Sequence, residues 1–198
     1  MKRFMVMISG RGSNLQALLE AHRGGQLSAE PVLVISNRSQ APGLEMAQGY
    51  GVHTEFVSFK DSAAGEARAL DLAAEVEADF IVLAGFMRVV SERLVRAFPN
   101  RIINIHPSLL PAFPGLHAQQ QALAYGVRVS GCTTHFVNEG VDTGPIIQQR
   151  VVDVLPEDTE ERLSARILVE EHKAIVETVQ WMAEGRLTVH GRVVQIQG

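Results

Sequence analysis

The sequence predicts an α/β protein with a Rossmann-like, mainly parallel twisted sheet, helices on both faces, and antiparallel strands added in the C-terminal third. Short apolar runs, such as Phe80–Ala84, alternate with longer segments of helical periodicity, which is typical of right-handed βαβ units. In the last third, strand patterns follow one another and then flank one long helix, which indicates antiparallel additions at one side. The length of 198 residues fits one domain, residues 1–198.

The first half of the chain predicts four strands, each followed by a helix. Its first helix carries Leu15, Leu18 and Leu19 at i, i+3, i+4 spacing, which predicts one apolar face. The predicted strands are Phe4–Ile8, Pro31–Ile35, Thr54–Val57 and Phe80–Ala84, and the later helices are Pro42–Gly49, Ser62–Ala78 and Ser91–Phe98.

The second half predicts a strand closed by His106-Pro107, a short helix, two strands, a long helix and a hairpin-like tail. Asp158, with Glu161 three residues later, resembles a capping box that opens the long helix. The chain must turn sharply just after His106-Pro107, so we predict a cis peptide bond before Pro111. The elements are Arg101–Ile105, His117–Tyr125, Gly131–Val137, Pro145–Val154, a helix ending near Ala183, and Leu187–Ile196.

Composition excludes several classes of protein. Hydrophobic residues make up 46% and charged residues 20%, so a core can be buried and a disordered chain is excluded. The net charge is −4 with scattered lysines and arginines, so we expect no nucleic-acid partner. No apolar run spans a bilayer and no signal peptide is recognisable, so we expect no membrane partner. With Cys132 as its one cysteine, the chain is expected to have no internal disulfide and no cysteine-rich metal site. Together these bounds favour a cytoplasmic protein without a metal. As to partners, we expect small-molecule substrates and a monomer or homodimer.

Three unusual segments lie where predicted strands end: Gly10–Asn14, Gly85–Arg88 and Asn104–Pro111. Ligands of open α/β sheets bind at the carboxyl ends of the strands, so these segments predict the site. Gly10–Asn14 is a glycine-rich turn that opens a helix and could hold a phosphate through backbone N–H groups. It matches neither the dinucleotide fingerprint nor the P-loop. The alternative is a tight turn in which Ser13 is a plain helix cap.

Asn104 and His106 lie two residues apart on a strand, so their side chains are expected to point the same way. Two polar groups at the end of an apolar strand are costly without partners, which favours a catalytic pair over a buried core histidine. His117 and His135 could join His106 as metal ligands. They follow no fixed ligand motif, so structural roles are favoured for both.

Two acidic residues allow more than one interpretation. Asp142 lies between Gly140 and Gly144, and this spacing alone favours an Asx-turn aspartate. Glu171 lies on the apolar stripe of the last long helix, where a carboxylate needs a cation or a donor. From the residues alone, a pair with a basic side chain is the simpler interpretation for Glu171.

Two motifs stand in order along the chain: Asn104–Pro111 with Phe113-Pro114-Gly115, and Gly131–Val137 with Asp142–Ile147. They resemble the core signature and the aspartate motif of the formyltransferase family. Three further segments are Ile8–Leu15, Leu83–Arg88 and Glu171-His172. They resemble, within that family, the phosphoribosylglycinamide formyltransferases.

This resemblance implies transfer of a formyl group from the cosubstrate 10-formyltetrahydrofolate to the amine of 5'-phosphoribosylglycinamide, a step of purine biosynthesis. It implies that Asn104, His106 and Asp142 are catalytic. No serine or cysteine has an evident base partner, so direct attack through a tetrahedral intermediate is favoured. The implied ribonucleotide ligands are Gly12, Ser13 and Asn14 at the phosphate and Glu171 at the amino end. The implied folate-binding residues are Met87, Arg88, Val89, Val90, Asn104, Asn138, Glu139, Gly140, Val141 and Asp142.

One position departs from the family pattern. Some members place an arginine that reaches the folate near Ala63, where this chain has Asp61–Gly65. Arg68 is a candidate replacement.

Three other functions remain open at this point. Methionyl-tRNA formyltransferase carries a similar run but needs a further C-terminal domain with a basic surface, and this chain ends at Gly198. Formyltetrahydrofolate deformylase hydrolyses the formyl group and usually has an additional N-terminal domain. A non-catalytic phosphoribosyl or folate binding module has no need of Asn104, His106 and Asp142 together.

Overall fold

The computed structural model describes residues 1–198 and contains nine strands and six helices. Every predicted element is present, and differences are confined to element ends. The strands are β1 (Lys2–Ile8), β2 (Ala29–Ser36), β3 (His53–Phe56), β4 (Phe80–Leu83), β5 (Ile102–His106), β6 (Val129–Phe136), β7 (Ile146–Asp153), β8 (Leu187–His190) and β9 (Val193–Ile196). The helices are α1 (Ser13–Arg23), α2 (Pro42–Gly49), α3 (Ser62–Glu75), α4 (Glu92–Ala97), α5 (Ala118–Tyr125) and α6 (Glu160–Ala183).

The nine strands form one sheet in the order β3-β2-β1-β4-β5-β6-β7-β9-β8. Strands β1 to β5 pair in parallel, whereas β6 is antiparallel to both β5 and β7. The predicted α/β class, with antiparallel strands added in the C-terminal third, is confirmed. The chain leaves β1 in one direction for β2 and β3 and in the other for β4, so a crevice opens above the carboxyl ends of β1 and β4.

Both faces of the sheet are covered, which explains the continuous apolar run of β1. Alternate residues of β1 enter two separate cores, with Val6 on the face of α1 and α6 and Met7 on the face of α3. The predicted apolar face of α1 is confirmed, because Leu15, Leu18 and Leu19 are all buried in the first core.

The predicted capping box at the start of α6 is wrong. Thr159 is the N-cap residue, and its side chain accepts a hydrogen bond from Arg162 N. Asp158 instead receives two hydrogen bonds of 2.8 Å from the guanidinium of Arg166. Those bonds lower the pKa of Asp158 to about 2. The guanidinium of Arg166, the seventh residue of α6, therefore holds the Asp158 carboxylate away from the capping position.

Helix α3 ends at Glu75, earlier than the predicted Ala78. Glu77 has φ of 49°, in the left-handed region, and the N–H of Ala78 bonds back to the carbonyl of Ala73. This is the backbone geometry of a helix C-terminus. No helix in the structure combines the length and the apolarity needed to cross a membrane.

Candidate active site

A cavity of about 540 Å³ opens at the carboxyl ends of β4 and β5, at the predicted edge of the sheet. This volume lies within the range of small-molecule sites. The loops that follow β4, β5 and β6, together with residues of α1, α5 and α6, complete its wall. The wall includes Gly85–Val90, Asn104–Pro107, Gly115–His117, His135, Asn138, Gly140–Asp142, Asn14, Glu160 and Glu171.

Asp142 lies at the centre of the polar part of this wall. Its Oδ2 is 3.3 Å from His106 Nδ1 and accepts a 2.8 Å hydrogen bond from Gly115 N. Its Oδ1 is 3.5 Å from Asn104 Nδ2. The structure thus brings Asn104, His106 and Asp142 together around one carboxylate.

The Asx-turn interpretation of Asp142 is wrong. Its carboxylate contacts residues far away in sequence, and its φ of 53° turns the side chain back toward β5. The turn-forming side chain in this loop belongs to Asn138, whose Oδ1 accepts from Gly140 N and Thr143 Oγ1. Asn138 thereby supports the loop that carries Asp142.

Asp142 is an ionised group. Burial raises its pKa, but the nearby His135 side chain, the hydrogen bond from Gly115 N and the nearby charge of His106 outweigh that effect, so the pKa of Asp142 lies below its ordinary value of 3.8. The carboxylate therefore supplies a fixed negative charge inside the cavity at neutral pH.

Each ring nitrogen of His106 lies near an oxygen atom. Nε2 lies 2.8 Å from the carbonyl oxygen of Phe113, within hydrogen-bond distance, and Nδ1 lies 3.3 Å from Asp142 Oδ2 in an ion-pair contact without hydrogen-bond alignment. A ring protonated at both nitrogens donates to Phe113 and carries a charge that pairs with Asp142. Because Phe113 occupies Nε2, the Nδ1–H group is the donor available to a ligand.

The loop that carries Phe113 is supported by the antiparallel strands. Thr133 accepts from Leu110 N at 3.0 Å and donates to Ser108 O at 2.7 Å, while Gln149 Nε2 donates to Leu110 O at 2.8 Å. The Leu110-Pro111 bond is cis, as predicted. Strands β6 and β7 therefore position the carbonyl that orients His106.

His135 lines the cavity, although its sequence context favours a structural role. The β5–β6 register pairs it with Asn104, so its Nε2 lies 3.2 Å from Asn104 Nδ2 and 3.7 Å from Asp142 Oδ1. The unprotonated Nε2 accepts from Asn104, and a proton there turns the same nitrogen into a donor toward Asp142. His117 also lines the cavity. Nowhere in the chain do three or more metal-binding side chains gather in a group.

At the other end of the cavity, Asn14 of α1 donates a 2.8 Å hydrogen bond to Glu171 of α6. Glu171 is 8% exposed, and burial raises its pKa above 4.5 despite the opposing bond from Asn14. No basic side chain pairs with Glu171, so the alternative interpretation is wrong. The Oδ1 of Asn14 is also buried without a partner, so this end of the cavity offers unmatched polar groups.

In the turn before α1, a glycine occupies the N-cap position of the helix. Gly12 is the N-cap residue with φ of 74°, and no side chain caps the helix, so Ser13 is not the cap. The first N–H groups of α1 have no partners within the helix. Asn14 lies in the cavity wall, whereas Gly12 and Ser13 lie just outside it.

The residues implied for folate binding lie mostly in the cavity wall. Met87–Val90, Asn138, Gly140 and Val141 are part of it, and Glu139 is not. Arg68 pairs with Glu75 on the surface of α3 at 2.8 Å and does not reach the wall. Arg88 lies in the wall and forms no ion pair, so it is the free cation at this end.

Known proteins share both this fold and these motifs. Residues 2–179 fit the family profile described as formyl transferase. The chain belongs to the formyl transferase family. It is 40% identical to the phosphoribosylglycinamide formyltransferase of Escherichia coli (strain K12), covering 98% of this chain and 93% of that protein. The crystal structure of glycinamide ribonucleotide transformylase 1 from Symbiobacterium toebii superimposes with a TM-score of 0.98 at 49% identity, covering 100% of this chain and 95% of that one.

Two further formyl transferase relatives are longer than this chain. It is 49% identical over 94% of its length to the trifunctional purine biosynthetic protein adenosine-3 of Drosophila pseudoobscura pseudoobscura, and it spans 14% of that protein. A formyltetrahydrofolate deformylase from Pseudomonas syringae pv. tomato shares 30% identity with a TM-score of 0.94, covering 100% of this chain and 66% of that one. The fold is thus common to transferring and hydrolysing relatives, and identity is higher with the transferring ones.

Proposed function

We propose that this protein transfers the formyl group of 10-formyltetrahydrofolate to the amine of 5'-phosphoribosylglycinamide, a step of purine biosynthesis. One observation carries the proposal: a single ionised carboxylate, Asp142, lies against both Asn104 and His106 in a cavity whose far end holds a buried, cation-free Glu171. The cluster of Asn104, His106 and Asp142 has the donors and the charge that acyl transfer needs, and the carboxyl of Glu171 can bind an amine.

The residue types match the charges that the reaction develops. An amine that attacks a formyl carbon gives a tetrahedral intermediate with a negative oxygen. Asn104 is a donor that does not titrate, and His106 offers a charged Nδ1–H group, so the two can stabilise that oxygen together. Asp142 stabilises the imidazolium charge, and His106 or an ordered water can deliver a proton to the leaving folate nitrogen. The attacking nitrogen, which becomes positively charged when it bonds to the formyl carbon, gives one proton back to His106 or to that water as the bond to the folate nitrogen breaks.

The two substrates occupy opposite ends of the cavity in this proposal. The ribonucleotide phosphate lies at the free N–H groups of α1, near Gly12, Ser13 and Asn14, and its amino end reaches Glu171. The folate lies against Met87–Val90 and the loop from Asn138 to Asp142, where Arg88 offers a positive charge in place of the arginine absent near Ala63. The formyl group then sits between Asn104 and His106.

Hydrolysis of the formyl group is the second candidate, because the deformylase shares the fold. A water molecule replaces the amine in that reaction, so a deformylase has no need of Glu171 as an amine ligand. The test is to incubate the protein with 10-formyltetrahydrofolate, with and without 5'-phosphoribosylglycinamide, and to follow loss of the formyl group. We expect turnover only with the ribonucleotide, together with one equivalent of formylated product. Equal turnover without it would establish hydrolysis instead.

Glu171→Gln should stabilise the ligand-free protein and weaken ribonucleotide binding. The raised pKa means that the folded state keeps this proton to higher pH than the unfolded chain, so the associated stability is complete below about pH 4.5 and is lost as pH rises through the folded value. The amide is neutral at every pH, so the variant avoids the cost of ionising a buried carboxyl, while its amide oxygen still accepts from Asn14. We expect a higher Tm and a KM for the ribonucleotide raised about tenfold to a hundredfold.

The neighbouring Glu170 gives the matched control. Hydrogen bonds from Lys173 and Arg150 lower the pKa of Glu170, with Lys173 contributing most, so Glu170→Gln should lower the Tm and leave KM unchanged. A Glu171→Gln protein with a lower Tm and an unaltered KM for the ribonucleotide would contradict the proposed role.

A further inference from the structure

The loop between β4 and α4, residues Gly85–Ser91, presents side chains to the cavity without a core of its own. Met87 is 54% and Val89 69% exposed, while Phe86 and Val90 turn inward to the core beside α3. The positions of three consecutive residues, Met87 to Val89, therefore depend on the contacts that hold the two ends of the loop.

The first end is held by β1 and its neighbours. Met87 N donates a 2.8 Å hydrogen bond to Ser9 Oγ, and Ser9 Oγ in turn donates to Asn37 Oδ1 at 2.6 Å. The ring of Phe86 packs edge-on against Phe59, with centroids 5.1 Å apart. This end is fixed by backbone and core contacts.

The second end is held by one buried carboxylate. Glu66 of α3 is 2% exposed, and both of its oxygens bind Ser91: Oε1 accepts from Ser91 N at 2.6 Å, and Oε2 accepts from Ser91 Oγ. No cation pairs with Glu66. Burying a carboxylate costs free energy unless its oxygens accept hydrogen bonds. Ser91 supplies two such bonds to Glu66, so the carboxylate and this end of the loop hold each other in place.

The backbone beside Glu66 has little freedom to move. A Cβ atom at the preceding Gly65 would lie 2.7 Å from the carbonyl oxygen of Ser58, so α3 approaches that segment more closely than any larger residue permits. Packing of α3 therefore sets the position of the Glu66 carboxylate, and the two hydrogen bonds to that carboxylate set the position of Ser91.

We propose that Glu66 is a positioning residue that holds the 85–91 loop in the shape that binds the folate. The inference rests on the proposed function for the identity of the ligand, whereas the anchoring itself rests on the contacts of Glu66. Without this anchor, the loop must be ordered when the folate binds, and that ordering lowers affinity. The ribonucleotide end, formed by α1 and α6, is not connected to Glu66.

The first test compares the two substrates in steady-state assays. Glu66→Ala should raise KM for 10-formyltetrahydrofolate by about tenfold to a hundredfold, the range for loss of hydrogen bonds to a charged group. The KM for 5'-phosphoribosylglycinamide should change by less than about twofold. Glu66→Gln keeps the shape and the acceptor for Ser91 N, so it should restore most of the folate affinity. Glu75→Gln, at an exposed position of the same helix, is the control and should change neither KM.

The second test needs no turnover. Amide hydrogen exchange of residues 86–91 in the ligand-free protein should accelerate by about an order of magnitude in Glu66→Ala and remain unchanged in Glu75→Gln. If the wild-type protein has no transferase activity, the proposed function is wrong. The exchange experiment would still show whether Glu66 anchors the loop, because it needs no substrate. Unchanged exchange in a folded Glu66→Ala protein overturns the inference, and so does an equal rise in both KM values.

Discussion

Asn104→Ala should lower kcat by about a hundredfold to a thousandfold, or about 2.7–4 kcal/mol of transition-state stabilisation. The amide contacts His135 and Asp142 in the ligand-free site and is a side-chain donor that carries no charge at any pH. His106→Ala should lower kcat by at least as much, because it removes the charged donor. Rapid-quench or steady-state assays with both substrates at saturation measure the loss.

The double variant sharpens this test. Two donors to one oxygen act as a unit, so Asn104→Ala combined with His106→Ala should cost much less than the sum of the separate losses. His53→Ala is the matched control, since His53 is an exposed histidine of β3 far from the cavity wall. Full additivity of the two losses would show that the residues act in separate steps.

Asp142→Asn should lower kcat/KM at least tenfold and remove the part of its acid limb that Asp142 contributes. The substitution keeps the shape of the side chain but removes a negative charge that lies 3.3 Å from His106 Nδ1. Protonation of Asp142 removes the same charge in the wild-type protein, so wild-type activity should fall as pH drops through the lowered pKa of Asp142. The variant has no carboxyl at this position, so that fall should be absent.

The lowered pKa of Asp142 also affects the stability of the folded protein at acid pH. A carboxyl whose folded-state pKa is depressed stabilises the protein above its ordinary value of 3.8, and this contribution is lost as pH falls through the folded value. Asp158→Asn is the control, because Asp158 also has a lowered pKa but lies outside the cavity wall. The kcat/KM profiles of the wild-type protein and Asp142→Asn are the decisive measurement: the same acid limb in both would assign Asp142 a structural role instead.

The fold and one half of the site follow from local patterns. The run Phe4–Ile8 predicts a strand buried on both faces, and the period of two along β5 predicts that Asn104 and His106 share a side. Each of these inferences uses neighbours within one element, where geometry depends only on backbone periodicity.

The other half of the site depends on contacts between distant elements. His135 faces Asn104 only through the antiparallel register of β6, and Asp142 reaches His106 only because its loop turns back through a left-handed residue. Glu66 is one more charged residue on a helix until Ser91 is placed against it. Strand register, loop path and helix packing are properties of the assembled chain, so local periodicity does not encode them.

The hydrogen bond between Asn14 and Glu171 joins positions 157 residues apart, and this has a consequence for the order in which the site can form during synthesis. The segments of the folate end, residues 85–91 and 138–142, and the residues Asn104 and His106 all emerge from the ribosome before α6. The amine-binding end waits for α6 to dock against α1, a closure over most of the chain. A nascent chain that stops before residue 171 can therefore have the reacting groups in place and still have nothing to hold the acceptor.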